Sequence, residues 1–583
     1  MRTQPRGPNE ADFVFRDGAV FTADPKRRWA KAVAVRDGII THVGDVAEVE
    51  DLIGRGTRVI DLEGRLLLPG FVEGQSHPIL GAALTQGVNV QFQTREETLA
   101  ALAAWRDQAG RVDMVRGYGW HYSAFGLYGP SKTDLDALWP DTPVVLLSID
   151  MRAAWTNSTA LKRANIVRGV PDPLPGLSFF QREARTGEPT GYVIGTPAVL
   201  QLLQGATPVS STMISAALGN WLPRAAAEGI TSLFDSGVHI MADKDALALY
   251  EKFEREKRLP CRIVACYDYN NPSVDPMPLV RRLRDRSRTE LVRAGVLKIV
   301  LDGTDTHFSA ALEAPYADRP RVRGELIINP GLVRDTVMRA DAEGFDVVFH
   351  AAGDRAVRIA LDAIEAAMKG NGKRSRRHTI AYLSSIAPED IQRFADLGVI
   401  AQFSAQCAVP DAHWEQITMP RLGPQRAANT FPMASLLHAG ATLAFGTDWS
   451  MVPHRPTFRP LDAIEVAVTR RQIGHPDGKS LPPASEALTI EQAVIANTLG
   501  AARQLRLDTR VGSITPGKRA DLVMLDRNIF EMPPHQIHDA KVSMTLMNGI
   551  VRHEASTSLS LPTPLPKSLP SATAPVSLGR DGG

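Results

Sequence analysis

The sequence has only three cysteines in 583 residues, Cys261, Cys266 and Cys407. Three thiols cannot build the disulfide framework of a small secreted protein. Cys261 and Cys266 share one apolar stretch, so we expect both to be core thiols. The N-terminal residues also lack the apolar segment of a secretory signal peptide. These absences predict a protein of the reducing cytoplasm.

Long apolar runs and an excess of charge of one sign are also missing. No run reaches the roughly 20 apolar residues that are needed to span a bilayer. The 66 basic and 64 acidic side chains are well mixed and leave a formal net charge of +2. Nothing therefore marks a nucleic acid or a membrane as the partner. We expect a small-molecule substrate instead.

Glycine-rich phosphate-binding motifs are absent, although the middle of the chain alternates strand-like and helical stretches. Between residues 68 and 505 this alternation predicts a parallel α/β architecture. A (β/α)8 barrel fits it better than a doubly wound sheet, because neither G-x-G-x-x-G nor a P-loop is present. Residues 83–205 are too many for one β–α connection. We predict that they form an α+β insert after the first barrel strand, at the barrel mouth.

Both chain ends are rich in short strands. Residues 12–24 and 32–44 each place Asp-Gly between apolar runs, and residues 542–553 contain Asn-Gly in the same setting, which predicts three β-hairpins. We predict one small β-sandwich domain from residues 1–67 and 506–555, with the barrel domain at 68–505. Residues 556–583 are rich in Ser, Pro and Leu without a period, which predicts a disordered tail.

Four polar residues stand out at or near the ends of predicted barrel strands, where barrel enzymes keep their active sites. They are His77, Lys298, His350 and Asp448. Two imidazoles and a carboxylate suit a divalent ion of the zinc type. Lys298 becomes a ligand if it is carbamylated; as an ammonium it would pair with Asp302 or Asp448. Asp448 is also suited to take a proton from water. Gln75, two residues before His77 on one strand, points to the same spot.

Several segments together resemble the amidohydrolase superfamily, within it amidohydrolase family 3, the YtcJ-like hydrolases. The resemblance runs from about residue 12 to 553. It rests on the segments at residues 58–78, 153–161, 298–304, 349–357, 443–451 and 511–526. It implies a (β/α)8 barrel with a small β-sandwich built from both chain ends. It also implies metal-dependent hydrolysis of amide or other C–N bonds, and many relatives suggest a homodimer.

The sequence departs from this family at several histidine positions. The family usually has His-x-His on the first barrel strand, and here Gln75 takes the first position. Tyr382 stands where a histidine usually ends the sixth strand, and Arg152 replaces the histidine of an Asp-Gly-His motif. Cys407 aligns loosely with another histidine. A guanidinium repels a metal ion, and an amide binds one weakly, so we expect a reduced metal site.

Three hypotheses follow from these residues. In the first, a hydrolase cleaves an amide-like C–N bond at a single-metal site, with one zinc-type ion held from the set His77, Lys298, His350, Asp448 and Gln75. In the second, no metal binds, and Tyr382, Arg152 and Asp448, with His350, perform acid–base chemistry as a hydratase, isomerase or lyase. In the third, the chain is an inactive binding protein. The first is preferred, with Asp448, Lys298, His350, Tyr382 and Arg152 as catalytic residues, because Lys298, His350 and Asp448 are all kept.

The insert also holds a segment rich in aromatic residues and glycine, at residues 117–129. Its rings either line a pocket for a flat or apolar group, or pack the insert against the barrel. Arg152, near this segment, is suited to hold a substrate carboxylate through its planar fork.

Overall fold

The centre of the protein is one sheet of eight parallel strands. In this computed structural model, residues 10–126, 128–287, 289–452 and 457–555 are described. The barrel strands, in chain order, are Phe71–Ser76, Ile230–Asp235, Arg262–Tyr269, Val292–Val300, Asp346–Ala351, Thr379–Tyr382, Ile400–Phe403 and Thr442–Phe445. Each strand pairs in parallel with the next one along the chain.

Hydrogen bonds beyond the ends of the strands bring the eighth barrel strand back to the first. Ser76 forms a parallel bridge with Trp449. The Asp448 amide donates to the Gln75 carbonyl at 2.7 Å, and the His77 amide donates to the Trp449 carbonyl at 2.6 Å. The predicted TIM-like barrel is therefore confirmed, and these bonds place Gln75, His77 and Asp448 side by side.

Helices follow most barrel strands and cover the outside of the sheet. In Asp354–Asn371, for example, the buried residues Val357, Ala360, Leu361 and Ile364 recur with the helical period and pack on the core. Helices of six or more residues are Pro78–Leu84, Arg95–Ala109, Lys132–Leu138, Ser158–Arg163, Thr196–Ala206, Ser211–Ala227, Asp243–Arg255, Met277–Arg286, Pro330–Ala342, Asp354–Asn371, Pro388–Asp396, Met433–His438, Pro460–Thr469 and Ile490–Ile495. Among the described residues, none of the helices has the length and apolarity to cross a membrane.

Between the first and second barrel strands, the chain forms a separate six-stranded mixed sheet. Its strands are Val88–Asn89, Val115–Trp120, Val144–Ser148, Ala153–Thr156, Phe179–Arg182 and Pro189–Ile194. This sheet lies within the predicted insert of residues 83–205. Its loop after Val144–Ser148 carries Arg152, which contacts Tyr382 of the barrel.

Strands from both chain ends share one six-stranded sheet. Its members are Ala19–Asp24, Arg27–Ala30, Leu66–Pro69, Leu522–Leu525, Val542–Met547 and Ile550–Glu554. A four-stranded sheet contains Phe13–Arg16, Ala32–Arg36, Ile39–Gly44 and Arg58–Asp61. The two sheets share a hydrophobic cluster that includes Phe15, Val20 and Leu522. The exact division into domains stays a prediction, and the tail at 556–583 lies outside the described residues.

Two of the three predicted hairpins are present, and the first is wrong. The strands around Asp37-Gly38 and around Asn548-Gly549 pair antiparallel. The strands before and after Asp17-Gly18 belong to different sheets. The chain passes there from one layer to the other, and a Cβ on Gly18 would lie 2.3 Å from that of Leu62. Because the two strands lie in facing sheets, Phe15 and Val20 are buried in the same hydrophobic cluster between them. In a hairpin the two strands would instead be neighbours within one sheet.

A buried ion pair joins the barrel to the sheet of the chain ends. Arg262 starts the third barrel strand, and both its Nη atoms donate to the Asp521 carboxylate. The side chains are only 3% and 1% exposed.

We expect Arg262→Met to lower the free energy of unfolding by about 3–5 kcal/mol, because it leaves a buried carboxylate unpaired. Denaturant unfolding measures this loss. The double variant Arg262→Met/Asp521→Leu removes both charges and should be less destabilised than the single variant, and a larger loss would contradict the assignment.

Candidate active site

Gln75 and His77 point to the same spot, as predicted, and the spot is one oxygen of Asp448. The Gln75 Nε2 donates to Asp448 Oδ1 at 2.9 Å, and His77 Nε2 lies 3.4 Å from the same oxygen. All three side chains are at most 2% exposed. His77 Nδ1 lies 2.7 Å from the carbonyl oxygen of Gly237. Because a carbonyl only accepts, Nδ1 carries the proton of a neutral His77 and Nε2 turns a lone pair towards Asp448.

The other oxygen of Asp448 is held by the tyrosine that stands in place of a histidine. The Tyr382 hydroxyl donates to Asp448 Oδ2 and accepts from Arg152 Nη2 at 2.5 Å. Burial alone would raise the pKa of Asp448, but His77, Arg152 and Tyr382 together lower it to about 2. Burial raises the pKa of Tyr382 well above its usual value. At neutral pH the site therefore holds a carboxylate, a protonated phenol and a guanidinium in contact.

The acidic neighbour of Lys298 differs from the two acids that we named. The Lys298 Nζ donates to the Ser236 carbonyl at 2.7 Å and lies 3.6 Å from Asp268 Oδ1. Asp302, expected as a partner, instead accepts backbone N–H groups of Ala311, Ala352 and Gly353. A third-strand carboxylate lies closer to the lysine, because Asp268 and Lys298 are register partners on adjacent strands. Carbamylation of Lys298 stays a prediction.

His350 is 3% exposed and has no described hydrogen-bond partner on either ring nitrogen. Its Nδ1 lies 3.4 Å from Asp302 Oδ1, and its ring contacts that of Tyr382 at a centroid distance of 3.8 Å, with the two planes inclined by 51°. Burial lowers the pKa of His350, so the ring is neutral at pH 7. Buried imidazole nitrogens without partners are costly. This cost is consistent with a role in binding.

The predicted site residues line two adjoining cavities at the barrel mouth. His77, Lys298 and His350 line a cavity of about 990 Å³, and Asp448 lines a second one of about 840 Å³. Arg152 and Tyr382 line both. The structure thus brings six of the seven predicted catalytic and metal-site residues to the lining of these cavities, and the seventh, Gln75, contacts Asp448 behind them. The Arg152–Tyr382 pair forms the wall between the two cavities.

Sequence reasoning missed two polar residues of the first cavity, Asp268 and His239. His239 Nδ1 lies 3.5 Å from Asp268 Oδ2, and its ring lies 5.8 Å from that of His77. Asp268 is the penultimate residue of the third barrel strand. The rule that functional residues lie at strand ends, applied to the run CRIVACYDY, would therefore have found it. His239 lies in the loop after the second strand, at a φ of +55°, where the sequence gives no signal.

One further histidine and most of the aromatic residues in the insert segment have structural roles. His378 accepts the Val347 amide and contacts Asp341 at 3.1 Å, on the outer side of the barrel start. In the insert, Trp120 and Phe125 pack in the hydrophobic cluster around its sheet. Tyr128, from the same aromatic segment, is 84% exposed. Packing therefore accounts for most of these rings, although Trp120 also borders a third cavity.

Comparison with known proteins agrees with this geometry. The sequence profile of the amidohydrolase family matches residues 58–553. The chain belongs to the amidohydrolase family. It is 28% identical to a putative amidohydrolase, YtcJ, of Bacillus subtilis, over 93% of this chain and 99% of that one. It is 25% identical to an N-substituted formamide deformylase of Arthrobacter pascens, over 93% of this chain and 98% of that one. A metal-dependent hydrolase from Pyrococcus furiosus has the same fold, with a TM-score of 0.66 and 23% identity, over 89% of this chain and all of that one.

Family membership confirms the prediction of a hydrolase acting on C–N bonds, and it supports a divalent metal cofactor. Among the described residues of this amidohydrolase, however, no three histidine, cysteine or acidic side chains form a metal-binding cluster. One smaller set fits a single ion. Ligands about 2.0–2.2 Å from a tetrahedral zinc lie about 3.4 Å apart, the distance between His77 Nε2 and Asp448 Oδ1. The Gln75 Oε1 is buried without a described partner, while Nε2 of the same amide donates to Asp448.

Proposed function

We propose that this amidohydrolase cleaves an amide-like C–N bond of a small molecule at a single-metal site. One ion of the zinc type would be held by His77, Asp448 and Gln75, with Lys298 and His350 further along the same cavity wall. The observation that carries the proposal is the His77–Asp448 pair. His77 Nδ1 lies 2.7 Å from the Gly237 carbonyl oxygen, so a singly protonated ring would turn the lone pair of Nε2 towards the Asp448 oxygen that lies 3.4 Å away. A cation between them, or a second proton on the ring, removes this repulsion.

The residues of the chain have separate tasks in this proposal. A bound divalent ion supplies an acidified water and a Lewis acid for the substrate carbonyl. Asp448 accepts the proton that the attacking water loses, and Gln75 and Tyr382 hold its carboxylate in one orientation. Arg152 presents a permanent cation to the oxygen that gains charge during attack. His350 is neutral, and its Nε2 has no described partner, so this nitrogen would bind the substrate or pass a proton to the leaving amine.

The metal-free alternative rests on a different observation, the contact chain from Arg152 through Tyr382 to Asp448. A second proton on the His77 ring would let Nε2 donate to Asp448, so that the His77–Asp448 contact would need no metal. In that case Tyr382 would serve as the acid and Asp448 or His350 as the base, in a hydration, isomerisation or elimination. An inactive binding protein is the third hypothesis, and it predicts no turnover at all. A cytoplasmic location and a homodimer stay predictions.

Tyr382→Phe separates the two enzyme hypotheses. The variant removes one hydroxyl and keeps the ring that contacts His350. We expect kcat to fall by less than about tenfold, because the phenol only orients Asp448 in the metal-dependent mechanism. If the phenol is the acid, kcat falls by about 100-fold or more. Steady-state kinetics measures the difference, and Tyr267→Phe, at a tyrosine outside the two cavities, is the matched control.

A panel of amides tests the reaction itself. Release of the free amine is measured for N-substituted formamides, the class named for the Arthrobacter pascens relative, and for acetamides and larger amides. The protein is assayed with added zinc and after chelation. The proposal predicts zinc-dependent amine release from at least one class. Turnover that is unchanged by chelation would contradict the metal-dependent mechanism.

A further inference from the structure

Two arginines contact the ring of Phe308, which lies in a loop after the fourth barrel strand. The Cζ of Arg319 lies 3.8 Å from the centre of its ring, and the Cζ of Arg421 lies 4.2 Å from it. Phe308 has a φ of +58°, in the left-handed region. A bulky residue is rarely found there, and such strain persists only where the surroundings impose it. The loop therefore holds the ring in a costly conformation that places two cations against it.

The two guanidinium groups lack direct counter-charges. No described carboxylate lies within ion-pair distance of Arg319, which is exposed. Arg421 donates to the backbone carbonyls of Asp305 and Thr306, which carry no net charge. Burial lowers the pKa of Arg421, and Asp305 and Asp318 offset this only in part. Two cations on one ring repel each other, so an anion bound at this position would be stabilised by both.

These three residues border a cavity of about 1150 Å³ between the insert and the barrel loops. Aromatic side chains of the insert, Phe179 and Tyr192, line its other side. The Tyr192 hydroxyl lies 2.9 Å from His307 Nε2. His307 lines both this cavity and the one that contains Lys298 and His350. The outer cavity is therefore the direct neighbour of the candidate active site.

We propose that the cluster Arg319–Phe308–Arg421 binds the carboxylate of a flat, aromatic-like part of the substrate, distant from the bond that is cleaved. This names the substrate class of the proposed amide hydrolysis and rests on that function. The guanidinium groups bind the carboxylate through charge-assisted hydrogen bonds, and Phe179 and Tyr192 contact the flat group. The reacting amide extends past His307 into the inner cavity, which is the one that His77, Lys298 and His350 line.

Binding of benzoate, measured by isothermal titration calorimetry without turnover, tests the site. We expect Arg319→Gln to weaken benzoate binding about tenfold, because it removes a charge-assisted hydrogen bond. Arg321→Gln is the matched control: it makes the same charge change at an exposed residue two positions along, which does not border the cavity. It should leave benzoate binding unchanged. Benzamide, the neutral analogue, should bind more weakly and equally to all three proteins.

Three results would overturn the proposal. Equal benzoate affinity in the wild type and in Arg319→Gln would remove the site. Equal weakening by Arg321→Gln would reduce it to a general effect of surface charge. Inorganic phosphate bound as tightly as benzoate, with the same dependence on Arg319, would contradict an aromatic carboxylate as the ligand. Since no turnover is measured, failure of the amide panel and failure of this site are distinguishable.

Discussion

Asp448→Asn is expected to lower turnover by at least about 1000-fold with every substrate that the wild type turns over. The amide nearly matches the carboxylate in size, but it carries no charge. Its NH₂ group would face Gln75 Nε2 or the Tyr382 hydroxyl, both of which donate to the Asp448 carboxylate in the wild type. The amide is also a poor proton acceptor and a weak metal ligand. Both enzyme hypotheses place Asp448 at the chemical step, so the loss does not depend on which is right. Steady-state kinetics with the best amide of the panel measures it.

A matched aspartate variant checks that the effect is local. Asp396→Asn changes an aspartate at the end of a helix outside the barrel, which accepts from Gln392 at 3.1 Å. It should keep full activity. Circular dichroism should show the same fold for both variants. Full turnover in Asp448→Asn would sink the assignment of the active site, whatever metal the protein holds.

His350→Leu is expected to change activity and stability in opposite directions. We expect turnover to fall by at least about 100-fold, since the neutral His350 ring lines the same cavity as His77 and Lys298 and contacts Tyr382. We expect the free energy of unfolding to stay level or to rise by about 1–2 kcal/mol. The wild type buries Nε2 without a described partner and Nδ1 with only a long contact of 3.4 Å to Asp302, and an apolar side chain of similar size removes that cost.

Denaturant unfolding and kinetics on the same preparations measure both quantities. His438→Leu, at an exposed histidine on Met433–His438, is the control and should change neither. A loss of several kcal/mol in His350→Leu with normal turnover would mean that His350 is a structural residue. Loss of activity at unchanged or higher stability is the expected signature of a residue kept for function.

Much of the barrel could be predicted because its strands are short apolar runs bounded by turn residues. Runs such as ITSLFD and FDVVFHAAG became the strands Ile230–Asp235 and Asp346–Ala351 with shifts of at most one or two residues. Parallel strands buried on both faces give a continuous apolar signal that the sequence shows directly. The contact of Gln75 and His77 with one oxygen followed from the two-residue period of a strand.

Pairings between distant segments could not be predicted in the same way. Asp17-Gly18 has the composition of a hairpin turn, yet burial of Phe15 and Val20 between two sheets decides its role. The partner of Lys298 depends on register between neighbouring strands, which places Asp268 beside it rather than Asp302. His239, Phe308 and Arg319 come from loops, and Arg421 comes from the four-residue helix Met419–Leu422, where the sequence carries no period to place them.

The most direct test of a single-metal amidohydrolase is elemental analysis of the purified protein by mass spectrometry. The wild type, His77→Ala and Asp448→Asn are expressed with added zinc and analysed before and after chelation and dialysis. We expect about one zinc-type ion per chain in the wild type and a clear loss in both variants, since each changes one of the two proposed ligands, whose nearest atoms lie 3.4 Å apart. No metal above background in the wild type would contradict the single-metal proposal and favour acid–base chemistry by Tyr382, Arg152 and Asp448. Two ions per chain would contradict the reduced site.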